Sequence, residues 1–215
     1  MRERHEKQPL TWSMEKMTWT RSQWEWIVWF DEKKFNLDGR DGLAYKWHDL
    51  RRKKQWFSKR HSGGGIVMVW GCFAAQRTSS LVILSGTQNG IKYVDRLREH
   101  FLPFAHDHPL NWTFMPDGAP CHRSSVAKAW LRDNFINVLD WPAYSPDLNP
   151  IENLWGILVR KVYANQRQFG DSNSLVDCIV AAWNNLSTET LENLVNSTQN
   201  RCIDVVQARG KKIDY

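Results

Sequence analysis

Apolar positions along this chain switch between a period of two and a period near 3.6, and the switches mark its elements. WEWIVWFD, residues 24–31, is an aromatic and β-branched run closed by Asp31, and it predicts a buried strand. Residues 66–75 form a second apolar run and 81–84 a third. The polar residues 76–80 between them predict an antiparallel hairpin. From Lys92 to Phe104 the positions Val94, Leu97, Phe101 and Phe104 recur at helical spacing. Residues 112–115 predict a short strand stopped by Pro116 and Asp117, and 136–139 a fifth strand. Between these two, Ser124 or Ser125 starts a helix with Val126, Ala129 and Trp130 on one face.

The strongest helix signal follows a proline-containing loop at 141–149. Asn149 is a good N-cap and Pro150 suits the first helical position. Ile151, Leu154, Trp155, Leu158, Val159 and Val162 then form an apolar stripe. A second helix carries Leu175, Val176, Ile179, Val180 and Trp183. A third starts near Ser187 and carries Leu191, Leu194, Val195, Cys202, Val205 and Val206. Hairpin strands followed by alternating helices and strands predict an α/β chain, a mixed sheet with helices on its faces. Residues 1–22 are a polar, Trp-spotted lead-in segment with partial helical character, and 38–65 form a long, partly extended insertion. No internal repeat or low-complexity tract interrupts this order.

Composition adds three points. The chain has 215 residues, enough for one domain or one domain plus an appendage. There are 13 Trp, with Trp19, Trp24, Trp26 and Trp29 close together, which fits either a packed core or a stacking surface. The formal charge is +6, and it is concentrated. Residues 40–61 hold Arg40, Lys46, Arg51, Arg52, Lys53, Lys54, Lys59 and Arg60 against Asp41 and Asp49. A solvated loop and a polyanion-binding patch fit that surplus equally. The cysteines Cys72, Cys121, Cys178 and Cys202 form no C-x-x-C pair and read as reduced thiols of an intracellular protein. The N-terminus lacks the apolar stretch of a signal peptide, and the apolar run 66–75 is too short for a membrane span.

Two of the predicted buried runs end in a carboxylate, Asp31 and Asp117. Adjacent strand ends would set them side by side. With a third carboxylate from a helix they would make a hard, oxygen-rich site suited to Mg²⁺ or Mn²⁺. Taken singly, each aspartate reads first as a turn or cap residue, and Asp117-Gly118 is good turn chemistry. Glu152 stands three residues after Asn149, the spacing of a capping box. Cys121 and His122 lack paired ligands at zinc spacing. Gly63-Gly64-Gly65 lacks the following Lys-Ser/Thr of a phosphate loop.

A longer pattern joins these carboxylates. WPAYSPDLNPIENLWGILVRKVYA (141–164) resembles the third catalytic block of the Tc/mariner superfamily transposases. WFDEKKFNLDG (29–39) resembles the first block and FMPDGAPCH (114–122) the second. GGGIVMVWGCF (63–73) and KKIDY (211–215) are similar to the Tc-three-like branch. The spacing from Asp117 to Glu152 is that of the branch ending in glutamate rather than the all-aspartate mariner one. The resemblance runs from about residue 22 to 215.

That resemblance implies an RNase H-like fold: a five-stranded mixed sheet flanked by helices, with a basic insertion after the first strand and extra C-terminal helices. It implies a catalytic domain over 23–215 behind a lead-in at 1–22, without the helix-turn-helix modules that precede this domain in relatives. Asp31 would lie on the central strand, Asp117 just past the fourth and Glu152 on a later helix, together holding two Mg²⁺ or Mn²⁺ ions. The implied activity is cut-and-paste DNA transposition: metal-dependent phosphodiester hydrolysis, then strand transfer into TA sites. The implied partners are transposon ends, target DNA and a second copy of the chain, in the nucleus and away from membranes. Arg51, Arg52, Lys53, Lys54, Lys59 and Arg60 are the expected DNA contacts. Pro116 and Gly118 stand where the family pattern has Gln and Asn. They support an alternative, a catalytically inactive transposon-derived DNA-binding remnant.

Overall fold

The computed structural model describes residues 2–40, 65–106, 112–115 and 119–214. Two helices open the chain, α1 (Arg2–Lys16) and α2 (Arg21–Glu25). Then come β1 (Ile27–Asn36), β2 (Ile66–Ala74), β3 (Arg77–Thr78) and β4 (Val82–Leu84). Helix α3 (Gly90–Arg96) runs through a wider π-type turn (Leu97–Phe101) into α4 (Leu102–His106). Next are β5 (Thr113–Met115), α5 (Ser125–Asp133), β6 (Asn137–Val138), α6 (Pro150–Val162), α7 (Ser172–Asn184) and α8 (Thr188–Gln207). No helix among the described residues is long and apolar enough to cross a membrane.

The strands form one mixed sheet in the order β3-β2-β1-β5-β6, with β4 also paired to β2. β1 is central: antiparallel to β2, from Trp29 opposite Phe73 to Asn36 opposite Ile66, and parallel to β5, with Trp29 opposite Met115. The expected third strand, 81–84, is β4, while β3 forms within 76–80, where the sequence predicts the turn. Both pair with β2, so six strands occupy five positions across the sheet. Ser79 lies between them. Its backbone N–H donates to Cys72 O (2.8 Å) and its hydroxyl accepts from Cys72 N–H (3.0 Å). A side chain thus replaces one rung of the ladder.

β1 departs from expectation at both ends. Trp24 belongs to α2, and the strand begins at Ile27. It also continues past Asp31 to Asn36, so Asp31 lies within the strand and not at its end. The charged run Asp31-Glu32-Lys33-Lys34 stays extended because every residue in it has a partner on β2. Alternation along the strand sends successive side chains to opposite faces. Trp29 and Phe35 join a core with α6, α7 and α8 through Leu154, Trp155, Leu158, Ile179, Trp183 and Val195. Val28 and Phe30 join a second core with Tyr93, Val94, Leu97, Phe101, Phe114 and Leu131.

The tryptophan cluster is mostly core. Trp24 and Trp29 are buried and stacked, with ring centroids 6.2 Å apart. Trp12 of α1 reaches the same cluster, 6.1 Å from Trp24 and 4.8 Å from Trp141. Trp26 is partly exposed and meets Trp112 edge-on.

Two predictions follow from this packing. A Cβ on Gly71, which sits opposite Asp31, would lie 2.8 Å from the Trp183 ring. Gly71→Ala should therefore cost about 1–3 kcal/mol of stability in urea denaturation. The thiols of Cys72 and Cys202 are pushed from near 9.0 up to about 12, chiefly by burial. A thiol is neutral when protonated, so between these values the unfolded chain releases protons that the folded chain keeps. Stability should hold below pH 9 and fall as pH rises toward 12. A Cys72→Ala, Cys202→Ala variant should show a smaller loss between about pH 8 and 10.5.

Candidate active site

Asp31 is half-buried on the α6 side of β1. Its Oδ2 accepts a hydrogen bond from Trp155 Nε1 at 3.1 Å. Trp155 is fully buried and stacks on Trp183, with centroids 5.5 Å apart. The indole is thus a rigid donor. It orients the carboxylate but carries no charge to cancel. A second bond pair joins the same two elements downstream: the hydroxyl of Tyr163, which caps α6, donates to Asn36 O (2.7 Å) and accepts from Asn36 N–H (2.9 Å). Helix α6 is therefore pinned along β1, both running in the same direction.

Glu152 occupies the first turn of α6, three residues ahead of Trp155. At about 1.5 Å per residue, that is roughly 4.5 Å along the axis, and positions three apart share a helix face. The capping box read from Asn149-x-x-Glu152 is not formed. Asn149 Oδ1 accepts from Ile151 N–H at 3.3 Å instead. Glu152 is exposed, and its carboxylate makes no hydrogen bond or ion pair among the described residues. A carboxylate in the first turn of a helix is favoured by the helix dipole, so Glu152 needs no side-chain counter-ion there.

The loop that delivers Glu152 is braced from behind. Arg201 of α8 is 1% exposed. Its Nη1 donates to Asp147 O and to Asn153 Oδ1, both at 2.9 Å. Asp147 Oδ2 accepts from Ile213 N–H at 2.9 Å. Sequence reasoning missed Arg201, although a guanidinium between Val195 and Cys202 on an apolar helix stripe was a visible anomaly.

Of the expected carboxylates, Asp31 is bonded to Trp155 of α6, and Glu152 lies three residues before Trp155 on the same helix. Asp117, with Pro116 and Gly118, lies outside the described residues, as do Arg51, Arg52, Lys53, Lys54, Lys59 and Arg60. No trio of His, Cys, Asp or Glu side chains converges among the described residues. The two oxygen donors that are described fit a hard divalent cation in kind: one carboxylate is oriented by a neutral donor, the other has no side-chain partner.

Trp155→Phe should keep most of the stacking and lose the N–H. A hydrogen bond to a charged group contributes about 1.5–3 kcal/mol, so urea denaturation should show a loss in that range. Glu152→Gln, at an exposed and unpaired position, should change stability by less than about 0.5 kcal/mol.

Comparison with known proteins places this architecture. Residues 26–176 match the family model described as DDE superfamily endonuclease. The chain is 41% identical to the Tc3 transposable-element transposase of Caenorhabditis elegans over 195 residues, covering 90% of this chain and 59% of that protein. It is 32% identical to the Tcb1 transposable-element transposase of Caenorhabditis briggsae over 221 residues, covering 99% of this chain and 78% of that protein. A crystal structure of the mariner Mos1 paired-end complex with Mg superposes with a TM-score of 0.81 at 18% identity, over 99% of this chain and 63% of that one. At that identity the superposition establishes the fold, and the RNase H-like expectation holds: a mixed sheet of five positions flanked by helices. With the signature over most of its length and close similarity to these transposases, the chain belongs to the DDE superfamily endonucleases of the Tc/mariner type.

Proposed function

We propose that this chain is the catalytic part of a cut-and-paste DNA transposase. It would hydrolyse phosphodiester bonds at transposon ends and join the freed 3′-hydroxyl to a TA site in target DNA. One observation carries the reading: the Trp155–Asp31 bond holds α6 on the central strand, one helical turn from the unpartnered Glu152. Family membership and the transposases it resembles support it. The chain spans 59% of the Tc3 protein's length, so the activity of a whole transposase is an inference from this part.

In this reading Asp31, Asp117 and Glu152 hold two Mg²⁺ or Mn²⁺ ions. When bound, such a pair supplies an activated oxygen nucleophile and stabilises charge on the departing oxygen. The chain's own residues do the rest. The Trp155 N–H fixes the direction of the Asp31 carboxylate, and the Asn149 cap with Pro150 sets the first turn from which Glu152 projects. Asp117 follows β5 in the sequence, and β5 lies parallel to the central strand β1 that carries Asp31. The basic segment with Arg51, Arg52, Lys53, Lys54, Lys59 and Arg60 supplies phosphate contacts to DNA. Residues 23–215 act as the catalytic unit behind a lead-in at 1–22. The working form is a homodimer on paired DNA ends in the nucleus.

Pro116 and Gly118 favour a second reading, an inactive DNA-binding remnant, because on either side of Asp117 a proline lacks a backbone donor and a glycine adds backbone freedom. Plasmid nicking in Mg²⁺ separates the two. The parent chain should nick supercoiled DNA and stop on chelation. Asp31→Asn and Glu152→Gln should each lower the rate by at least about 10²-fold. Nicking that persists in both variants would refute the assignment, and a parent chain that binds DNA without nicking would establish the remnant.

A further inference from the structure

Asp31 and its strand neighbour Glu32 face opposite layers of the molecule. On the far side from α6, Glu32 Oε1 accepts from Arg96 Nη1 of α3 at 2.7 Å. His122 Nε2 lies 3.6 Å from the same oxygen. Arg96 is 5% exposed and His122 3%, while the Glu32 side chain is 20% exposed, so the cluster borders the second core. Arg96 Nη2 also donates to Gln88 Oε1. The His122 ring lies 4.2 Å from Tyr93 and 5.2 Å from Phe30. Its backbone N–H donates to Ala119 O at 3.0 Å, closing the turn that leads into α5. α3 meets that turn without clearance: a Cβ on Gly90 would fall 2.4 Å from Ser124 Oγ.

Stability does not account for the cluster. Desolvating a guanidinium and a carboxylate costs several kcal/mol per ion, and apolar replacements of similar volume are often neutral or stabilising. What the charges add is direction. A charge-assisted hydrogen bond is short and geometrically selective. It fixes the backbone at the residue beside Asp31 to α3, and through His122 it fixes the 119–124 turn to the same helix.

We propose that Glu32, Arg96 and His122 form a positioning cluster that locks β1 and the 119–124 turn onto α3, and so sets where Asp31 aims for a divalent cation. The proposal rests on the metal-dependent reading above. None of the three touches the reacting atoms. They act through the strand and the turn.

The test replaces the buried pair by apolar side chains, Glu32→Met with Arg96→Met, in the full chain. Mn²⁺ binding is followed by electron paramagnetic resonance, and melting temperature is measured on the same samples. The melting temperature should hold or rise, while Mn²⁺ affinity falls by about tenfold, the scale at which supporting residues affect metal sites. Arg96→Lys, which keeps the charge, should recover most of that affinity. A folded double variant with the parent's Mn²⁺ affinity overturns the proposal, because the cluster would then serve packing alone. If the double variant does not fold, Glu32→Gln is read by the same criterion, since it keeps the shape and an oxygen facing Arg96. A parent chain that binds Mn²⁺ no better than Asp31→Asn brings down the functional reading itself, and this inference with it.

Discussion

A strand at the centre of a sheet covered by helices on both faces has little solvent in which to place a charge. β1 carries Asp31 and Glu32 in succession, both partly buried, and each carboxylate faces the layer of helices on a different side of the sheet. An unpaired buried charge is not tolerated. Much of the architecture answers that demand. On one face Trp155 meets Asp31 and sets where α6 lies. On the other Arg96 and His122 meet Glu32 and set where α3 and the turn before α5 lie. The helices are thus located by polar contacts to one dipeptide as well as by apolar burial.

The two solutions differ in kind. Toward α6 a neutral N–H, that of Trp155, orients Asp31. Toward α3 the partner is a guanidinium, which neutralises Glu32 and ties it down. Neighbouring carboxylates of nearly equal chemistry are thereby given opposite tasks. Gly71, across the ladder from Asp31, leaves room for Trp183, and Trp183 supports the Trp155 ring from behind. Aromatic stacking keeps the donor stiff, and stiffness is what an oriented carboxylate requires.

Local signals were legible where the physics is local. Asn149 and Pro150 announced the start of α6. Ser124, one of two candidates, caps α5, and Ser187 caps the helix expected to start near it. Apolar runs located the strands other than β3. The carboxylates Asp31 and Glu152 stood out through a long motif. The end of β1 was misread because Asp31-Glu32-Lys33-Lys34 has the composition of an exit from the core, while pairing with β2 keeps it extended. The Trp155–Asp31 bond joins residues 124 positions apart, and Arg96 reaches Glu32 across 64. No periodicity in a single sequence encodes such registers. His122 attracted notice only as a metal ligand lacking companions; its contact with Glu32 depends on a sheet whose strand order had to be seen.

The brace behind α6 also bears on the order in which the molecule can complete itself. The guanidinium that holds the carbonyl of Asp147 comes from 54 residues downstream, and the N–H that holds its side chain from 66. Contacts of such separation form late, because loop closure must precede them. On a ribosome emitting the chain from its N-terminus, the sheet and both aromatic layers around β1 are available before either anchor is translated. The loop preceding Glu152 gains its fixed shape only when α8 and the segment after it dock. A nascent chain therefore carries Asp31 and Glu152 before the fastening behind the loop that leads to Glu152 exists.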